Sequence, residues 1–267
     1  MPAIRRAFAD LSHGQIHYAI CGDTAAPPIL LLHQTPRSWM EYREVLPLLG
    51  QRFCAIAMDT PGFGDSAPLP GSASIERWAA VAVELLDALS IARAHVLGHH
   101  TGGVIALEIA ASFPSRVASL VLSSTPFTCE AFRRARRERP PIDAVELRAD
   151  GSHLAALWQR RQSFYPTGRP ELLEAFVGDA LKVSGDVEGG HRAVASYRME
   201  DRIGRVTQPT LLVRASGDPF ASPHVPELQA HLTQARVADI DGGMVPLPDQ
   251  LPQAFARAVL AFLEAQP

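Results

Sequence analysis

Hydrophobic positions along this chain fall into short continuous runs, separated by longer stretches of mixed character. Successive side chains of a strand point to opposite faces, so an unbroken apolar run is what a strand buried on both faces requires. Pro28 to His33 is such a run, and Phe53 to Met58, Ala94 to Leu97, Val117 to Leu122, Thr210 to Val213 and Val237 to Ile240 are further short, largely apolar segments that read as strands. Helices are expected between them, near 38–48, 74–90, 101–112, 223–232 and 252–264. In 74–90 the apolar residues recur at helical spacing behind Ser74, a residue suited to cap a helix start. Residues 5–10 and 15–21 flank His13-Gly14 and predict an N-terminal hairpin. Alternation of this kind predicts an α/β fold, a mostly parallel sheet with helices on both faces.

Residues 127–206 break the alternation. They are helical in pattern, contain no convincing strand, and carry Arg133, Arg134, Arg136, Arg137 and Arg139. This predicts an insertion between two strands, with the core formed by 1–126 and 207–267 and the arginine run on a solvated helix face. An insertion placed above the strand ends would act as a lid.

Composition adds exclusions more than assignments. A net charge of −3 over 267 residues lacks the basic footprint of a nucleic-acid binder. The N-terminus has no apolar run behind its arginines, and no stretch approaches the roughly 18 apolar residues of a membrane span. Cys21, Cys54 and Cys129 are scattered, as expected of free thiols in a reducing compartment. The expectation is a cytoplasmic protein acting on a small molecule, without nucleic-acid or membrane partners.

The chemistry concentrates at Gly98-His99-His100-Thr101-Gly102-Gly103, between an expected strand and an expected helix. That context matches the nucleophile elbow G-x-S-x-G, in which a sharp turn lifts one side chain above the sheet. Glycine is needed where the helix passes close to the strand. The apex residue here is His100, and the helix behind it points its first N–H groups toward the apex.

With these residues the chain resembles the α/β-hydrolase fold family over nearly its whole length. His33-Gln34-Thr35-Pro36 is similar to the family's H-G-x-P oxyanion loop. Asp59-Thr60-Pro61-Gly62-Phe63-Gly64-Asp65-Ser66 matches its D-x-P-G-x-G-x-S loop. Ser216-Gly217-Asp218 lies where the family keeps its triad acid, and 127–206 resembles its helical cap. The departures are equally specific. The family's G-G-H is Asp241-Gly242-Gly243-Met244-Val245-Pro246 here, and no histidine follows His231. An ordinary Ser-His-Asp mechanism is therefore excluded.

Serine needs a neighbouring base, whereas a neutral imidazole is itself nucleophilic near pH 7. The resemblance thus implies a non-standard hydrolase of a small ester, lactone or activated acyl compound. His100 is its nucleophile or base, Asp218 orients the imidazole, and the Thr35 and Thr101 N–H groups hold the oxyanion. Gln34, His33, Met244, Trp158 and Tyr165 are candidate substrate contacts, with His153, His191 and Tyr197 as further cap residues. His99 and His33 also suit purely structural roles, and Asp59 and Asp65 suit fixing their turn. No cofactor is implied. His33, His99, His100 and Asp218 lack the spacing of a recognised metal motif, so no metal is expected. The alternatives are a cofactor-free lyase or decarboxylase using His100 as general base, and a decayed protein that only binds a ligand.

Overall fold

A computed structural model describes residues 1–266. Eight strands form one sheet: β1 (Arg5–Leu11), β2 (Gly14–Cys21), β3 (Pro28–Leu32), β4 (Cys54–Met58), β5 (Ala94–His99), β6 (Val117–Ser123), β7 (Thr210–Ala215) and β8 (Ala235–Ile240). Their order is β1-β2-β4-β3-β5-β6-β7-β8. The hairpin β1–β2 joins β4 antiparallel, and every pairing from β4 through β8 is parallel. The sheet is thus mostly parallel, as the alternation of runs predicts.

The unbroken apolar runs have the expected cause. Leu30 and Leu32 of β3 enter one core, while Ile29 and Leu31 enter the other. Each side chain so buried contributes about 1.5–3 kcal/mol. On the first face pack α2 (Ile75–Ala88) and α3 (Thr101–Ser112). The second face is covered by α1 (Leu46–Leu49) and α10 (Pro252–Leu263). Ser74 caps α2 as the sequence suggests, its hydroxyl accepting the Arg77 N–H at 3.3 Å. The C-terminal third adds α8 (Val225–His231) and α9 (Leu247–Gln250).

Two expectations need correction. The helix near 38–48 is instead a 3₁₀ turn at Trp39–Tyr42 followed by the short α1. Arg37 and Glu41 are fully buried there, and their polar partners, not an amphipathic face, dictate the path of the chain. The arginine run is not one solvated face. Arg133 is buried, with its guanidinium forked onto Glu200 at 2.6 and 2.7 Å and bonded to the Thr128 carbonyl at 2.8 Å.

Between β6 and β7 lie α4 (Glu130–Arg137), α5 (Ser152–Gln162), α6 (Pro170–Leu181) and α7 (Gly189–Ser196), with no strand among the described residues. Leu157, Tyr165, Leu172, Leu173 and Phe176 give these helices a small apolar cluster of their own. Among the described residues no helix is long and apolar enough to cross a membrane. The loops after β3, β5 and β7 emerge at the carboxyl ends of neighbouring parallel strands, the usual ligand edge of an open α/β sheet.

Candidate active site

The turn from β5 into α3 is fixed by close backbone approach. A Cβ on Gly98 would lie 2.0 Å from the Gly102 carbonyl oxygen, and one on Gly102 would lie 1.9 Å from that of Leu32. Only glycine fits at either position. His100, between them, adopts φ 48° and ψ −112°. A non-glycine residue held there costs on the order of 1–3 kcal/mol, so the surroundings must impose it. They do so through the main chain: the His100 N–H donates to Ser123 at 3.0 Å, and its carbonyl accepts from Gly103 at 2.9 Å.

Asp218 follows β7 and is 1% exposed. Its Oδ1 accepts the N–H groups of Phe220 at 2.9 Å and Ala221 at 3.3 Å. Its Oδ2 lies 2.8 Å from His100 Nε2. Neither of these two buried atoms has an aligned hydrogen-bond partner, so the contact is a close electrostatic one whose N–H direction is off the line. Burial pushes the Asp218 carboxyl up, but the adjacent His100 charge and the Phe220 N–H outweigh it and hold it at about 2. Nδ1 of His100 makes no hydrogen bond among the described residues and is not among the buried unpaired atoms, so it is the open nitrogen of the ring.

His99 is a braced neutral ring. It accepts from Ser123 Oγ at Nδ1 (2.9 Å) and donates from Nε2 to the Val245 carbonyl (2.8 Å). Burial, reinforced by the neighbouring His100 charge, lowers it to about 3. It therefore anchors the loop in which the family's histidine is missing. His33 is likewise spent on structure, with Nδ1 bonded to the Gln34 carbonyl at 2.8 Å and Nε2 accepting the Thr60 N–H at 2.9 Å.

The loop after β3 is tied down by a buried acid that sequence reasoning missed. Glu41 accepts both the Gln34 N–H (2.9 Å) and its side-chain amide (2.6 Å). Burial outweighs the nearby Arg37 charge and raises the Glu41 carboxyl to about 7. Arg37, fully buried, donates to Asp179 at 2.7 Å and to Asp249 at 2.5 Å, tying the loop to α6 and α9. The Thr35 N–H faces Thr101 Oγ1 across a long 3.4 Å contact. The Thr101 N–H opens α3 and so has no acceptor within the helix.

A cavity of about 710 Å³ lies over these groups, with Gln34, Thr35, His100, Thr101 and Val245 in its wall. Phe132, Ile142, Phe164, Val194 and Phe220 make much of the remainder apolar. A second groove of about 890 Å³ shares Arg136, Arg139, Pro141 and His191 with it but does not reach His100.

Four candidate substrate contacts fall outside this wall. Tyr165 is 4% exposed and packs edge-on against Phe176, and Trp158 joins the same apolar cluster. Met244, whose N–H is held by Gln250 at 2.7 Å, is absent from the wall, and the next residue, Val245, lines the cavity instead. His33 lies behind the loop. His191 does line the cavity, with its Nε2 2.7 Å from buried Asp143, a pairing no local sequence signal announces.

For a metal shared by His33, His99, His100 and Asp218, His33 and His99 offer no ligand, because both ring nitrogens of each are already bonded. Two other groupings, His17–Asp59–Asp65 and Asp143–Glu188–His191, bring ligand atoms within 4.8 Å. Their carboxylates are already engaged. Asp59 receives the Trp39 and Asp65 N–H groups, and Asp143 takes a two-pronged bond from Arg161.

Known proteins share this architecture. The model of the alpha/beta hydrolase fold family matches residues 27–249. RutD of Azorhizobium caulinodans, named as a carbamate hydrolase, is 27% identical over 262 residues, covering 94% of this chain and 97% of that one. Bifunctional epoxide hydrolase 2 of Mus musculus is 33% identical over 132 residues, 44% of this chain but only 23% of that longer protein. The enol-lactonase structure from Burkholderia xenovorans LB400 matches with a TM-score of 0.80 at 23% identity, over 97% of this chain and 100% of that one. With strand order, elbow and family match in agreement, the chain belongs to the alpha/beta hydrolase fold family.

Proposed function

We propose that this protein hydrolyses a small ester, lactone or activated acyl substrate, with His100 standing in for the serine its family ordinarily uses. The observation that carries this is the direct approach of Asp218 to the elbow imidazole, 2.8 Å from its Nε2. In the family's arrangement that acid would serve a histidine on the last loop. Here the loop offers Met244 and Val245, and the acid serves His100. A carboxylate against Nε2 favours the tautomer with the proton there, leaving the Nδ1 lone pair available. The names of the relatives, hydrolases of carbamates and epoxides and a lactonase, support hydrolysis as the reaction class.

Nδ1 attacks the acyl carbon and a C–N bond forms. The carbonyl electrons move to oxygen, where the Thr101 and Thr35 N–H groups receive the charge. Such preorganised donors are worth about 3–4 kcal/mol each. Collapse expels the leaving alkoxide, which takes a proton from water, and leaves an acyl-imidazolium balanced by Asp218. Water then cleaves that adduct and restores the ring. The same geometry allows His100 to act as general base, taking a proton from a water that attacks the acyl carbon.

A screen of aryl esters and lactones, with rapid quench and peptide mass spectrometry, tests the proposal. An acyl mass on the peptide containing His100 supports the covalent route. Turnover without an adduct supports the base route. Absence of turnover across the whole screen overturns hydrolysis.

A further inference from the structure

We infer that the substrate carries a carboxylate remote from its reacting carbonyl, received by Arg139 and Arg160 at the rim of the cavity. The inference rests on the proposal that this cavity is the reaction site, and it names the substrate class.

Charge around the cavity is one-sided. Among the described residues of its wall there are four arginines, Arg136, Arg139, Arg160 and Arg161, and no Asp or Glu. This is not a reflection of the whole molecule, whose net charge is −3. Two of the four guanidiniums are neutralised from behind. Arg161 is buried and forked onto Asp143, with contacts of 2.6 and 2.5 Å. Arg136 has Glu188 at 3.7 Å. Arg160 gives one N–H to the Ala144 carbonyl at 2.5 Å, and among the described residues neither it nor Arg139 forms an ion pair with a carboxylate. Two uncompensated cations therefore face the same cavity.

Their position fits one end of a ligand. Arg139 and Arg160 are exposed, whereas His100, 14% exposed and backed by buried Asp218, sits at the strand ends. Phe132, Ile142, Phe164 and Phe220 add apolar surface to the same wall. The matching molecule has a polarised carbonyl at one end, an apolar body, and an anionic oxygen group at the other. The planar fork of a guanidinium fits a carboxylate bidentately. At the rim such pairs are screened, since the Debye length is about 10 Å at 0.1 M salt. The preference is therefore expected to fade as salt is added.

Calorimetric titration of the full chain with 4-phenylbutyrate and with its neutral isostere 4-phenylbutyramide tests this at low salt. The carboxylate is expected to bind at least about tenfold more tightly. Arg139→Gln/Arg160→Gln is expected to abolish the difference. The control Arg134→Gln/Arg137→Gln removes the same charge from positions outside this cavity and is expected to keep it. Equal affinity of the two ligands, or no binding of the carboxylate, overturns the inference. So does a preference that survives the first double variant or disappears in the control. The titration needs no turnover, and repeating it on His100→Ala keeps failure of the catalytic proposal separate from failure of this one.

Discussion

Asp218→Asn changes one atom of the site and leaves its shape. The retained carbonyl still accepts from Phe220 and Ala221, so the loop after β7 keeps its path. The oxygen 2.8 Å from His100 Nε2 becomes an N–H donor. A donor there needs a lone pair on Nε2, which drives the ring proton to Nδ1 and removes the lone pair the chemistry uses. The cationic ring formed during reaction also loses its counter-charge. At 2.8 Å and an effective dielectric of about 20, that attraction is about 6 kcal/mol. The amide dipole and cavity water replace part of it, leaving an expected loss of about 3–5 kcal/mol, or 10²–10⁴ in kcat. Initial rates of 4-nitrophenolate release at neutral pH measure it, with circular dichroism showing that the variant is folded. A folded variant within about threefold of wild type refutes the orienting role of Asp218.

Other consequences follow from single contacts. Burial raises Glu41 to about 7 from the usual 4.5, so the native state holds a proton that the unfolded chain has released. Stability is then greatest below pH 4.5 for this group and declines by about 3 kcal/mol as pH rises through 7. In Glu41→Gln that decline disappears, as urea unfolding at pH 5 and pH 8 would show; an unchanged pH difference contradicts it. Gly102→Ala puts a Cβ 1.9 Å from the Leu32 carbonyl oxygen, and neither backbone can yield without moving β3 or α3. It is expected to lower Tm by about 6 °C or more, corresponding to about 3 kcal/mol, and a melt matching wild type contradicts it. Val245→Phe fills the cavity wall and raises KM by about 5- to 100-fold, while Met244→Ala leaves it unchanged. The reverse pattern in the kinetics would place Met244, not Val245, against substrate.

The core was legible in the chain because its physics is local. The unbroken run Ile29–Leu32 alternates between two apolar faces, as a strand covered on both sides requires. The elbow was legible for a similar reason: Gly98 and Gly102 are demanded by backbone contacts that are the same wherever this turn occurs. The segment 38–48 misled because its fate is decided by distant acids. Arg37 meets Asp179 and Asp249, 142 and 212 positions away, and no periodicity encodes such partners. Trp158 and Tyr165 were reasonable cavity residues by type, but a helical pattern does not say which aromatic faces a neighbouring helix and which faces the cavity. Asp143 and His191 are 48 positions apart, and their pairing is set by how α7 lies against the segment before α5.

The sharpest test is the effect of His100→Ala on kcat/KM, measured with the best substrate from the ester and lactone screen. The ring is 14% exposed and pinned by its main chain, so removing it empties the reacting position without unpinning the turn. A fall of at least about 100-fold in a folded variant is expected if the imidazole is nucleophile or base. Turnover within about threefold of wild type would contradict a catalytic His100.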